Sequence, residues 1–281
     1  MLAKNRFFVF LFVFFLWGSK LLSADTVRIA TMIEPLSDLA RAVAGEGHEV
    51  KTILPPGANP HTFELSPKFV KELDGIKIIF VIGEGFDDWL RPVLEQQANK
   101  QLIPVHSGIR LLPKDPHYWL SIQNAKLIAQ NIARALSEQY PENKRSYETN
   151  LIRLMDRLNQ TDSEIRLLLA QVRHKEMITF HDSWNYFAND YGLKVVATVE
   201  ASEAAEPRPK RLAKMSKLVQ TYHIKSLFTE PPVNVSLART VAGDLGLKVY
   251  ELDPLGFKDE KADYPTLVLA NAKVILEGLR S

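Results

Sequence analysis

The chain has 281 residues, 46% hydrophobic and 24% charged, with no cysteine and a formal net charge of +2. That balance is globular and the length allows two modest cores. The missing cysteine excludes a disulfide framework, and the near-neutral charge gives no footing for a nucleic-acid partner.

Lys4 and Arg6 precede an unbroken apolar run from Phe7 to Trp17, which ends in Gly18-Ser19-Lys20-Leu21-Leu22-Ser23-Ala24. A run this short, with a basic start and a small-residue end, reads as a secretory signal peptide over 1–24, not as a membrane span. Its removal would take Lys4, Arg6 and Lys20 with it, moving the formal charge from +2 to −1. No cysteine stands at the cleavage site, so the expected product has no lipid anchor and no membrane insertion, and is free in a periplasm.

Short β-branched runs then alternate with helical stretches. Strands are expected at Val27–Thr31, Val50–Leu54, Ile76–Ile82 and Leu102–Val105, with helices at Pro35–Ala44 and Phe86–Asn99. The rhythm returns with strands at Met177–Phe180, Val195–Val199, Ser226–Thr229 and Val249–Leu252, and a closing helix from Tyr264 to Gly278. Repeated βαβ units predict an α/β fold of two lobes, each with a mainly parallel, helix-covered sheet. The expected division is an N-terminal lobe over 25–141, a connecting helix over 142–174 and a C-terminal lobe over 175–281.

The connector is predicted from an absence and a stripe. Glu142 through Tyr191 holds neither Pro nor Gly, and Tyr147, Leu151, Leu154, Leu158, Ile165, Leu168 and Val172 recur at steps of three and four, broken at Thr161. This is the period of an amphipathic helix. Asn143–Arg173 would run about 45 Å at 1.5 Å per residue, enough to span two lobes. The stripe is too short and imperfect for a coiled-coil dimer, so a monomer is expected.

Three of the seven His fall at junctions where doubly wound folds place ligands. His61 follows the second strand in Pro56-Gly57-Ala58-Asn59-Pro60-His61-Thr62-Phe63-Glu64. His117 stands in Asp115-Pro116-His117-Tyr118-Trp119-Leu120, and His181 in Phe180-His181-Asp182-Ser183-Trp184. Asp253 follows the last strand in Leu252-Asp253-Pro254-Leu255-Gly256. Three neutral imidazoles and one carboxylate suit a four-coordinate Zn²⁺ site. His48, His106, His174 and His223 read as surface or capping residues, Trp89, Trp119 and Trp184 as core, and Glu200–Pro207 as an exposed acidic loop.

These blocks, in this order, resemble the solute-binding proteins of zinc- and manganese-type ABC importers, whose two lobes are joined by one long helix. Glu230-Pro231-Pro232 resembles a further block of the same pattern. The resemblance covers nearly all the chain after the leader. It implies a metal site of His61, His117, His181 and Asp253 in the interlobe cleft, a membrane ABC importer permease as partner, and no catalytic residues. In that family manganese-type members carry a carboxylate where this chain has His181. An imidazole-rich set favours Zn²⁺ over Mn²⁺, with manganese or iron transport as the alternative. Gln101–Lys114 lacks the His- and acid-rich loop of many zinc-type members. A zinc-dependent hydrolase is the competing class; it would need a placed general base, and no HExxH occurs. Ligation needs neutral imidazole, so proton competition is expected below the ordinary imidazole pKa of about 6.5.

Overall fold

The structure is a computed structural model that describes residues 27–64, 66–94, 100–200, 209–231, 235–259 and 262–280. The expected signal segment 1–24 lies outside the described residues, as does most of the acidic stretch after Glu200. Glu200 itself is buried, and its N–H bonds the carbonyl of Phe180 at 2.9 Å, so the expected exposed loop does not include it.

The first half runs β1 (Arg28–Thr31), α1 (Glu34–Ala44), β2 (Glu49–Thr52), α2 (Pro67–Glu72), β3 (Ile78–Val81), α3 (Leu90–Leu94) and β4 (Gln101–Pro104). A short 3₁₀ turn at Tyr118–Leu120 leads into α4 (Ile122–Gln139), and α5 (Lys144–Leu169) follows. The second half runs β5 (Glu176–Thr179), α6 (Asn185–Tyr191), β6 (Lys194–Thr198), α7 (Pro209–Tyr222), β7 (Ser226–Thr229), α8 (Val235–Leu245), β8 (Lys248–Glu251) and α9 (Tyr264–Arg280).

Each half builds one parallel four-stranded sheet with the same spatial order, β2-β1-β3-β4 and β6-β5-β7-β8. The composition of each strand follows its place. Central β3 and β7, Ile-Ile-Phe-Val and Ser-Leu-Phe-Thr, are buried along their whole length. Edge strand β2, Glu-Val-Lys-Thr, is exposed or half-buried throughout. A strand covered on both faces can carry no charge without a partner, whereas an edge strand can.

The long helix α5 has 26 residues, about 39 Å at 1.5 Å per residue. It packs on α1 and α4 in the first half and on α9 in the second. Its buried face is Tyr147, Leu154, Leu158, Thr161, Ile165 and Leu169. Thr161 therefore continues the stripe that its polarity seemed to break; Leu151 and Leu168 are only half-buried. The helix stops at Leu169, four residues short of the expected end.

Alternation along β5 divides the core. Met177 joins Phe228 and Tyr250 in a cluster that continues through Leu158 and Tyr147 to Ile29 and Phe80 of the first sheet. Ile178 and Phe180 face the other way, with Val199, Leu227 and Val241. One apolar core thus runs through both lobes, and the second lobe adds a smaller one on its far face.

Candidate metal centre

The C-terminal ends of the strands meet at the seam between the lobes. His61 lies in the loop after β2, where Asn59 Oδ1 accepts its backbone N–H at 2.8 Å, an Asx turn flanked by Pro60. His117 precedes the 3₁₀ turn, and its N–H is held in the same way by Asp115 Oδ1 at 3.0 Å. His181 stands two residues beyond β5.

The structure brings these three imidazoles together. One nitrogen from each lies within 4.8 Å of those of the other two. Ring centroids are 5.6 Å apart for His61–His117, 5.4 Å for His61–His181 and 5.0 Å for His117–His181. The Nε2 atoms of His117 and His181 are 3.3 Å apart. Two nitrogens at 2.0–2.1 Å from one Zn²⁺, separated by the tetrahedral angle, stand about 3.3–3.4 Å apart. The pair is thus spaced as one edge of a zinc tetrahedron. His117 also donates Nδ1–H to Asp115 Oδ1 at 2.8 Å, which leaves the lone pair on Nε2, facing the cavity.

Burial sets the charge state. It lowers the pKa of His181 from 6.5 to about 3, with smaller contributions from His117 and His61. It lowers that of His61 to about 4, with His117 adding to the effect. His61 is the most solvent-facing of the three, and its ring stands edge-on to Phe86 at 5.3 Å. Both rings are neutral at pH 7. Burial thus favours the neutral rings that ligation needs.

Asp253 is not among the residues that cluster with the three histidines. Its Oδ1 accepts the backbone N–H groups of Leu255 (3.2 Å), Gly256 (2.8 Å) and Phe257 (3.1 Å), and its Oδ2 accepts that of Lys258 (2.8 Å). The carboxylate expected as fourth ligand thus also organises its own loop. Neighbouring Pro254 reaches the cavity wall instead, and its carbonyl accepts Trp119 Nε1–H at 3.0 Å across the seam.

The cavity wall includes a carboxylate to which the sequence alone assigned no role. Glu230, one residue beyond β7, is 5% exposed and lines the same cavity as the three histidines. Ser183 Oγ donates to it at 3.0 Å and Trp184 Nε1 at 3.2 Å. Its signal was the motif block Glu230-Pro231-Pro232 at a strand end, the position that also marked His181 and Asp253. Trp119 and Trp184 are buried as expected and also serve the site, whereas Trp89 is half-buried. Among the remaining histidines, His106 contacts the carbonyl of Ile82 through Nδ1 at 3.2 Å, and His48 packs on Tyr147 of α5.

Two similar α/β lobes, one long helix and a small imidazole-lined cavity at their seam define the class: a two-lobed solute-binding protein. The chain belongs to the ZnuA family, the periplasmic component A of zinc-uptake complexes, whose model matches residues 29–278. Members of this family are binding components and not enzymes. The chain is similar to the zinc-binding protein AdcA of Streptococcus pyogenes, at 26% identity over 94% of this chain and 59% of AdcA. It thus spans under two thirds of the length of that relative. It is also similar to the manganese ABC transporter substrate-binding lipoprotein PsaA of Streptococcus pneumoniae, at 26% identity over 92% of this chain and 90% of PsaA. Its fold matches a crystal structure of ZnuA with a TM-score of 0.83 at 29% identity, over 91% of this chain and 100% of that one. The Zn(II)-bound ZnuA-like domain of Streptococcus pneumoniae AdcA matches with a TM-score of 0.76 at 28% identity, over 91% of this chain and 100% of the domain. Among the described residues no helix is long and apolar enough to cross a membrane.

Proposed function

We propose that this protein binds Zn²⁺ in the periplasm and delivers it, as a monomer, to the permease of a membrane ABC importer, with His61, His117 and His181 as the protein ligands. The observation that carries the reading is the 3.3 Å separation of the His117 and His181 nitrogens within a three-imidazole cluster. Nitrogen-rich sets favour Zn²⁺ over Mn²⁺, which prefers oxygen. Asp253 organises its loop in this reading, and the fourth position is left to water or to a cavity-wall oxygen.

A site with three histidines and an open fourth position also has the composition of a catalytic zinc centre. The family separates the two readings: its members are binding components of zinc-uptake complexes.

The test is metal analysis of protein purified without added metal, followed by chelator competition with Zn²⁺ and Mn²⁺. One tightly held zinc per chain, weaker manganese and no hydrolysis of ester or peptide probes are expected. Tighter manganese than zinc, or loss of no affinity in His181→Ala, would overturn the assignment.

A further inference from the structure

The three histidines are not supported alike. His181 Nδ1 is buried with no hydrogen-bond partner. His117 is clamped twice by one carboxylate, through its backbone N–H and through Nδ1, both on Asp115 Oδ1. Asp115 is itself 6% exposed; its backbone N–H bonds the carbonyl of Leu112 at 3.2 Å, and its remaining hydrogen bonds come from the second lobe. Asn185 Nδ2 donates to Asp115 Oδ2 at 3.1 Å, and Tyr186 OH donates to the Asp115 carbonyl at 3.1 Å. Tyr186 OH also accepts the N–H of Leu112 at 2.7 Å. Asn185 and Tyr186 open α6, in the loop-and-helix unit that carries His181. Asn185 is fixed in turn by Asp182 Oδ1 at 2.7 Å.

We infer that Asp115 is a positioning residue that fixes His117 for the ion and, through Asn185, makes that fixation depend on the two lobes being together. This inference rests on the proposed zinc site. With Nδ1–H given to Asp115, His117 presents only Nε2 to the ion, and the carboxylate makes that nitrogen a stronger donor. The carboxylate is held in place by a hydrogen bond from each lobe. Separating the lobes removes the Asn185 bond and frees Asp115, and with it the ring. Linkage then runs both ways: the ion favours closure, and closure favours the ion. Opening would weaken the site at a ligand that the opening motion does not touch directly.

Three variants test this. Asp115→Ala is expected to weaken zinc binding about 10–100-fold, the range for loss of an outer-shell partner of a ligating His. Asn185→Ala keeps the Asp115–His117 contact and is expected to speed zinc dissociation about 3–10-fold, with only a small change in the melting temperature of the metal-free protein, since it removes two hydrogen bonds, to Asp115 and Asp182, at a half-buried residue. In the double variant, Asn185→Ala should add nothing to the dissociation rate of Asp115→Ala, because Asn185 acts through that carboxylate. Wild-type dissociation in Asn185→Ala, or independent, multiplicative effects in the double variant, would overturn the inference. So would a lowered metal-free melting temperature with no change in zinc dissociation, the result of a purely structural role. Absence of zinc binding in wild type, or its persistence in His181→Ala, would instead unseat the site itself, so the two failures are distinguishable.

Discussion

His181 and Asp253 occupy equivalent places in the second sheet. Each stands two residues beyond the last residue of a parallel strand, β5 for His181 and β8 for Asp253. Each is a good zinc ligand by residue type, and sequence treats them alike. Their fates differ because their loops differ. After Asp253 comes Pro254-Leu255-Gly256, and Gly256 adopts a left-handed φ of +78°, so four successive N–H groups turn back onto the carboxylate. Short carboxylates readily take such local bonds, and glycine allows the turn. The loop after His181 makes no such return: Ser183 and Trp184 give their side-chain donors to Glu230 instead.

Substitution at the two positions should break the symmetry most visibly. His181→Ala is expected to weaken zinc binding by at least about 100-fold, since it removes one of three strong bonds to the ion. Asp253→Ala should do the reverse, costing about 2–3 kcal/mol of stability by leaving buried N–H groups without an acceptor while zinc affinity changes by less than about tenfold. Chelator competition and denaturant unfolding of both variants check the pair. Affinity loss in Asp253→Ala as large as in His181→Ala would return the carboxylate to the ligand set.

The pH dependence of the metal-free protein gives a smaller effect. His181 titrates at about 3 in the fold against 6.5 when unfolded, so the unfolded chain binds its proton first as pH falls. The resulting stability is present above pH 6.5 and is lost progressively between 6.5 and about 3. Its slope has a ceiling of about 1.4 kcal/mol per pH unit for one group. Thermal melts between pH 7 and pH 4 should show a shallower decline in His181→Ala than in wild type. Equal slopes would mean that the ring is not neutral by burial. Smallest of all, Gly256→Ala should cost about 1 kcal/mol through backbone strain alone, because its Cβ would meet Leu267 Cδ2 at an ordinary 3.7 Å.

Much of the fold was legible because central parallel strands must be apolar throughout. Ser226–Thr229 falls where its residues predict, and the remaining strands lie within two residues of expectation. The long helix was legible from its stripe, although Thr161 shows that a buried seam can hold a hydroxyl. The helix expected from Phe86 begins only at Leu90. Asp87 turns back to accept the N–H groups of Ile82 (2.7 Å) and Gly83 (2.6 Å), and Gly83, Glu84 and Gly85 all take positive φ. Local side-chain capture by Asp87 defeated the helical pattern. The histidines were legible because each sits at a strand end or turn beside proline or aromatic residues. Glu230 was quoted but given no role, since nothing in one sequence shows which strand ends converge.

The tight cavity at the seam has a consequence for ion hydration. The cavity beside the three imidazoles, with about 20 Å³ open to the centre of a water molecule, has room for about one water. An ion bound there must therefore exchange most of its hydration shell for imidazole nitrogens. Mg²⁺ gives up water reluctantly and keeps several molecules when bound, and Ca²⁺ wants six to eight oxygens. Neither finds replacement for its shell among neutral nitrogens, so the commonest divalent ions are turned away by the cost of undressing before any ligand preference is expressed. The same cost acts in reverse. An ion that leaves must regain the waters it gave up, one for each imidazole it releases.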